Sequence, residues 1–208
     1  MEIYKVQFIL DEKEKIVLES QDNFDELDCC YKGKITFQKN NINILLSEDV
    51  IRDAMENLNF LLKKSLNKEL YLHKSITQDI GFTYNQYSND LRKDDLSLMN
   101  NFMYNELGKD KIWVWDKHYL WAGNFVTWIY NDNDGNIILE ITPLYPYFDD
   151  EKKNTFYISY DEWIKNYKPY LIRKIPMEIA RQWLTQANEI IQRINANIER
   201  SIRETTKS

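Results

Sequence analysis

Two runs of aromatic and β-branched residues, 125–130 and 136–142, meet across Asn131-Asp132-Asn133-Asp134-Gly135. Such side chains fill a pleated strand well, and an Asn/Asp/Gly turn tolerates the left-handed backbone that a tight reversal needs. An antiparallel hairpin is therefore expected here, which removes all-helical folds from consideration. The chain's other end has the opposite periodicity. Ile179, Ala180, Trp183, Leu184, Ala187, Ile190, Ile191, Ile194, Ile198 and Ile202 recur at helical spacing behind Pro176, which suits a first helical turn. A sheet of hairpins plus a long amphipathic helix specifies the α+β class: antiparallel sheet covered by amphipathic helices, those at 48–64 and 176–203 foremost.

The remaining elements fit that frame. Residues 3–10 alternate polar with apolar, 11–15 suit a turn before a strand at 16–18, and strands at 34–38 and 42–46 flank Asn40-Asn41, a second hairpin turn. Ser47 is placed to cap the helix at 48–64, with Glu48 and Asp49 in its first turn and a stripe of Ile51, Ala54, Met55, Leu58, Leu61 and Leu62. Residues 69–110 suggest one or two short helices broken near 93–95 and stopped at Gly108. Strands are expected at 112–115 and 119–121, and Pro143 and Pro146 are expected to end the strand at 136–142. After a short strand at 156–158, Ser159 and Glu162 form a capping-box pair for a helix that Pro169 stops. The 208 residues are read as a single α+β domain, with an N-terminal lobe of residues 1–68 as the alternative division. Residues from about 204 are expected to fray.

Charge and cysteine use bound the function. The formal charge of -6 argues against duplex nucleic acid as a partner. It is unevenly spread: residues 11–28 hold eight acids against Lys13 and Lys15, whereas 168–208 hold eight bases against four acids. The two readings of this asymmetry are an acidic loop and a basic helix face that are merely solvated, and electrostatic steering of a basic partner by the acidic segment. The start of the chain has neither the basic end nor the apolar run of a secretory signal, and no stretch has the length of a membrane span. Cys29 and Cys30 are the only cysteines and adjoin each other, which does not make a disulfide framework; a cytoplasmic home is expected. Heavy use of Asn, Lys, Ile and Tyr with little Ala is the habit of an AT-rich, bacterial genome.

Catalytic signatures are missing one after another. The sequence has no Gly-rich phosphate loop, dinucleotide fingerprint, His-Glu-x-x-His, Gly-x-Ser-x-Gly or Cys-x-x-Cys. Asp132-Asn133-Asp134-Gly135 looks like part of a calcium loop, but setting Gly135 at the sixth position puts Tyr130 first and Ile141 last, where carboxylates are required. His73 and His118 have no second ligand at metal spacing, and acids precede Cys29 and Cys30, which raises a thiol's pKa and disfavours a nucleophile. Neither cofactor nor metal is expected.

What remains is a surface chemistry of aromatics and acids. Trp113, Trp115, Tyr119 and Trp121, with Trp128 and Tyr130 nearby, serve core packing, a stacking platform or a protein interface, since Trp and Tyr dominate binding hot spots. Asp149, Asp150 and Glu151 form an acidic loop beside them in sequence. The alternative is a small hydrolase-type enzyme in which Asp116 orients His118 within an aromatic cleft. The stretch 127–143, followed by Ser159-Tyr160-Asp161-Glu162-Trp163 and the helix holding Trp183-Leu184, resembles small uncharacterised bacterial proteins, some of them immunity proteins of polymorphic toxin systems. That resemblance implies a binding role; with no catalytic constellation and with acidic segments at 11–28 and 149–151, the chain reads as a non-catalytic protein-binding module whose partner is a basic protein such as a toxin. Trp113, Trp115, Tyr119, Trp121, Asp149, Asp150 and Glu151 are the residues the sequence offers as its binding surface, and the oligomeric state is left open.

Overall fold

The computed structural model describes residues 3–27, 30–72, 76, 79–94, 113–117, 124–146 and 158–206. It has the α+β class: antiparallel hairpins in two sheets and four helices among the described residues, ending in a long C-terminal helix. No helix among the described residues is long and apolar enough to cross a membrane. The chain divides into two compact units. Unit 1 joins Met1–Glu69 to Ile175–Ser208, and unit 2 is Leu70–Lys174. The division differs from a lobe of residues 1–68 in returning the C-terminal helix to the first unit.

Unit 1 is a meander of β1 (Tyr4–Ile9), β2 (Glu14–Ser20), β3 (Lys32–Lys39) and β4 (Ile42–Val50), paired antiparallel in that order. Asp11 makes the first turn by accepting the N–H groups of Lys13 and Glu14, and Asn40 makes the third with φ 52°. Phe8, Ile16, Leu18, Ile35, Phe37 and Leu46 are buried on the sheet. Helix α1 (Ile51–Leu66) follows β4 directly. Here the expected cap at Ser47 is incorrect: Ser47 pairs with Ile35, Glu48 with Lys34 and Asp49 with Gly33, so the strand runs on to Val50 and no side chain caps the helix. Residues that suit a cap are used instead to extend a ladder, because three β3 partners are available to them.

The C-terminal helix, numbered α4 below, spans Met177–Thr205 and buries Ala180, Trp183, Ala187, Ile190 and Ile194. These fall at spacings of three and four, one face of a helix. The outer members of the expected stripe are less covered, and Ile202 is 58% exposed. The Trp183 ring meets Phe8 edge-on at 6.0 Å, and Asn59 on α1 donates to Asn188 on α4 at 2.6 Å. Trp183 Nε1 also donates to the Ile9 carbonyl at 3.0 Å, and Gln186 Nε2 to the Gln7 carbonyl at 3.2 Å. Side chains of α4 thus occupy backbone acceptors on the outer edge of β1, a position that otherwise invites a foreign strand.

Unit 2 contains α2 (Ile80–Asp94), β5 (Trp113–Lys117), β6 (Asn124–Asn131), β7 (Ile137–Leu144), α3 (Tyr160–Lys165) and β8 (Leu171–Ile175), the last of which hands the chain back to unit 1. The strands lie in the order β5-β6-β7-β8. The expected hairpin is present as β6–β7, with Asp132 Oδ1 accepting from the N–H groups of Asp134 and Asn136 and Gly135 at φ 80°. Pro143 does not end β7 but sits inside it opposite Phe125. The Tyr170 N–H reaches the Ile141 carbonyl, so odd-numbered residues of β7 point their backbone groups away from β6, and the missing N–H of Pro143 costs no β6–β7 bond. Ser159 caps α3 as expected, its side chain accepting from the Glu162 N–H. Strand β8 has no counterpart in the sequence reading.

Candidate functional site

Of the residues expected to form the binding surface, only Trp113 and Trp115 fall within the described residues. Trp113, Trp115 and Asp116 are on β5, where the backbone register sets Trp113 opposite Trp128, Trp115 opposite Thr127 and Asp116 opposite Val126. Tyr119, Trp121, His118 and the acidic loop Asp149, Asp150 and Glu151 lie outside the described residues, as does His73. Trp128 and Tyr130 are buried, so for these two the platform reading gives way to core packing. Trp128 meets the Tyr84 ring edge-on at 5.4 Å and donates from Nε1 to Thr142 Oγ1 at 3.1 Å.

The densest chemistry lies on that same face, where β7 meets the start of α2. Glu140 is 0% exposed. Its Oε1 accepts from the Gly81 N–H at 3.1 Å and from the Thr142 hydroxyl at 2.9 Å, and its Oε2 accepts from the Tyr130 hydroxyl at 2.9 Å. Asp79, just ahead of α2, accepts from the Phe82 N–H at 2.7 Å and from the Tyr167 hydroxyl at 2.9 Å. The helix N-terminus therefore has two carboxyls on it, one local and one supplied by β7, an arrangement favoured by its exposed N–H groups and dipole. Burial pushes the Glu140 carboxyl up to about 7, against the opposing effect of the Thr142, Tyr130 and Gly81 hydrogen bonds and with a further push from Asp79. Burial likewise raises Tyr130 and Tyr167 above the ordinary phenol range, with the nearby acids adding to it.

Packing at this point is close. A Cβ on Gly81 would lie 2.2 Å from both Thr142 side-chain atoms, Cγ2 and Oγ1, and 2.3 Å from the Tyr167 hydroxyl, so only glycine lets the helix approach the strand so nearly. Asn85, one turn on, donates to the Pro143 carbonyl at 3.0 Å and accepts from the Tyr145 N–H at 2.8 Å. Sequence reasoning missed this cluster because its members are far apart in the chain: Gly81 and Glu140 by 59 residues, Asp79 and Tyr167 by 88. The one local hint was an acid, Glu140, among apolar neighbours in a strand.

Unit 1 has an open groove among its described residues. This groove, of about 420 Å³, follows the outer edge of β1 along α4, lined by Gln7, Ile9, Arg181, Trp183 and Gln186 among others. Ile9 is 54% exposed, and Asp11 and Glu12 follow it in the turn. The described acids of residues 11–27 do not form a single patch. Asp11 and Glu12 lie at one end of β2 and Asp22, Asp25 and Glu26 beyond the other, while Glu14 pairs with Lys39 at 2.6 Å, Glu19 with Lys5 at 2.6 Å and Asp25 with Arg193 at 3.2 Å. The acidic and basic halves of the charge asymmetry thus meet in part within unit 1. Among the described residues no group of three or more His, Cys, Asp or Glu side chains is arranged to hold a metal. Comparison of the chain with protein-family models, curated proteins and solved structures gives no match.

Proposed function

We propose that the chain is a non-catalytic protein-binding module acting in the cytoplasm, of the kind that neutralises a basic partner such as a toxin. The observation that carries this reading is the contrast between the two units. Among the described residues of unit 2, the buried and half-buried acid–base groups Glu140, Tyr130, Asp79 and Tyr167 are engaged with one another and with the start of a helix. In unit 1 an exposed apolar side chain, Ile9, borders an open groove and is followed by the acids Asp11 and Glu12. An apolar anchor with acids at its rim suits a partner whose own anchor is ringed by Lys or Arg.

The test is to isolate the partner from the native host and measure association of the purified pair across a salt series. Steering by exposed acids predicts that the on-rate falls at least ~tenfold as ionic strength rises from ~0.01 M to ~1 M, because the screening length shrinks from about 30 to 3 Å. Ile9→Asp is expected to speed dissociation. A rate indifferent to salt removes the electrostatic part of the reading, and unchanged dissociation in Ile9→Asp removes the groove.

A further inference from the structure

The carboxyl of Glu140 has three donors on its two oxygens and no exposure to water, and one of those donors is the backbone of Gly81 in the first turn of α2. Among the described residues, the titratable groups that bear on it are Asp79 from the start of α2, Tyr130 from β6 and Tyr167 from the segment after α3, with Asp132 adding to the field at Tyr130. An ionised Glu140 has its full charge in the interior beside a second acid, whereas a protonated one has no charge to bury and donates its new O–H to Tyr130, whose hydroxyl oxygen accepts as readily as its proton donates. The two forms therefore differ in how well they tolerate the closed contact between helix and strand.

We propose that Glu140 is a proton-controlled latch: with its proton it holds the start of α2 against β7, and loss of the proton favours local opening of that contact. The direction follows from linkage. The closed contact holds the carboxyl near 7, whereas a hydrated carboxyl in the opened state titrates near its ordinary value of about 4.3. The stabilisation is complete below the lower value and is lost as pH rises through the higher one. The opening constant should therefore increase about tenfold per pH unit between roughly 5 and 7 and level off above.

Hydrogen exchange of the α2 amides on the full chain, corrected for intrinsic rates and followed from about pH 5 to 8, reads this opening. The expected result is a loss of protection of about a hundredfold across the two units below pH 7, confined to residues at the start of α2 and their β7 partners. Glu140→Gln mimics the protonated carboxyl and should keep the low-pH protection throughout. Protection that does not change with pH, or that changes equally in Glu140→Gln, overturns the proposal. Direct carboxyl titration by carbon-13 chemical shift is independent of whether the variant folds: a midpoint near 7 supports the latch, and one at the ordinary carboxylate value ends it.

Discussion

Gly81 is the residue on which the α2–β7 contact turns. A methyl group there collides with Thr142 and Tyr167, atoms that are themselves tied to Glu140 and Asp79. Because the neighbours cannot yield without breaking hydrogen bonds, Gly81→Ala is expected to cost about 1–3 kcal/mol, the usual penalty of overpacking, even though alanine is the better helix former. Equilibrium unfolding in denaturant checks this, and a stabilised variant would mean that the contact is looser than the structure shows. None of this was legible in the sequence. Gly81 follows Ile80 without any turn signal, and the residues it touches come from distant parts of the chain. The Asp132 turn, by contrast, was fully legible, since every hydrogen bond that makes it lies within five residues.

At the scale of elements, what could be read was whatever depends on local periodicity. The β6–β7 hairpin, the Ser159 cap of α3 and the run of α4 all carry their cause within a few turns of chain. The boundary between β4 and α1 does not, because Ser47, Glu48 and Asp49 have the chemistry of a helix start and only the presence of β3 recruits them to a strand. Strand β8 was missed because its burial pattern leaves just Leu171 and Ile175 covered around three exposed residues. The stripe of α4 also needed its partners to show which members matter. Trp183, 1% exposed, packs on Phe8 and bonds the Ile9 carbonyl, so Trp183→Ala is expected to cost about 3–5 kcal/mol. Ile202→Ala, on the same stripe but largely in water, should stay within about 0.5 kcal/mol of the parent. Paired denaturation curves separate the two, and equal losses would put the core of unit 1 elsewhere.

For the whole molecule, the decisive fact is that unit 1 is built from both sides of unit 2 in the sequence. A chain shortened to residues 1–174 lacks α4, leaving the Phe8 face without Trp183, and the Leu27 carbonyl without the Asn197 side chain that donates to it at 3.0 Å. Such a chain is expected to bind a hydrophobic dye and to lose amide protection in β1 and α1, and a peptide of residues 175–208 added in trans should restore both. Protection that survives the truncation would show that the sheet and α1 suffice. The arrangement also explains why a division of the chain was hard to see in the sequence: no Pro, Gly or Ser-rich linker marks Glu69, and a contiguous reading has no means of assigning the last helix to the first sheet.

The same insertion has a consequence on the ribosome. The four strands of unit 1 and α1 emerge first, yet the helix that covers them is synthesised only after all of unit 2, a delay of roughly 5–20 s at ordinary elongation rates. During that interval the β1 edge and the apolar face awaiting Trp183 are bare, which is the condition under which nascent chains recruit chaperones or pair with the wrong strand. Unit 2 has no such wait, since all its elements are contiguous. Translation thus starts unit 1 before unit 2 and completes it afterwards, so α4 is both the last-made part of unit 1 and a wall of it.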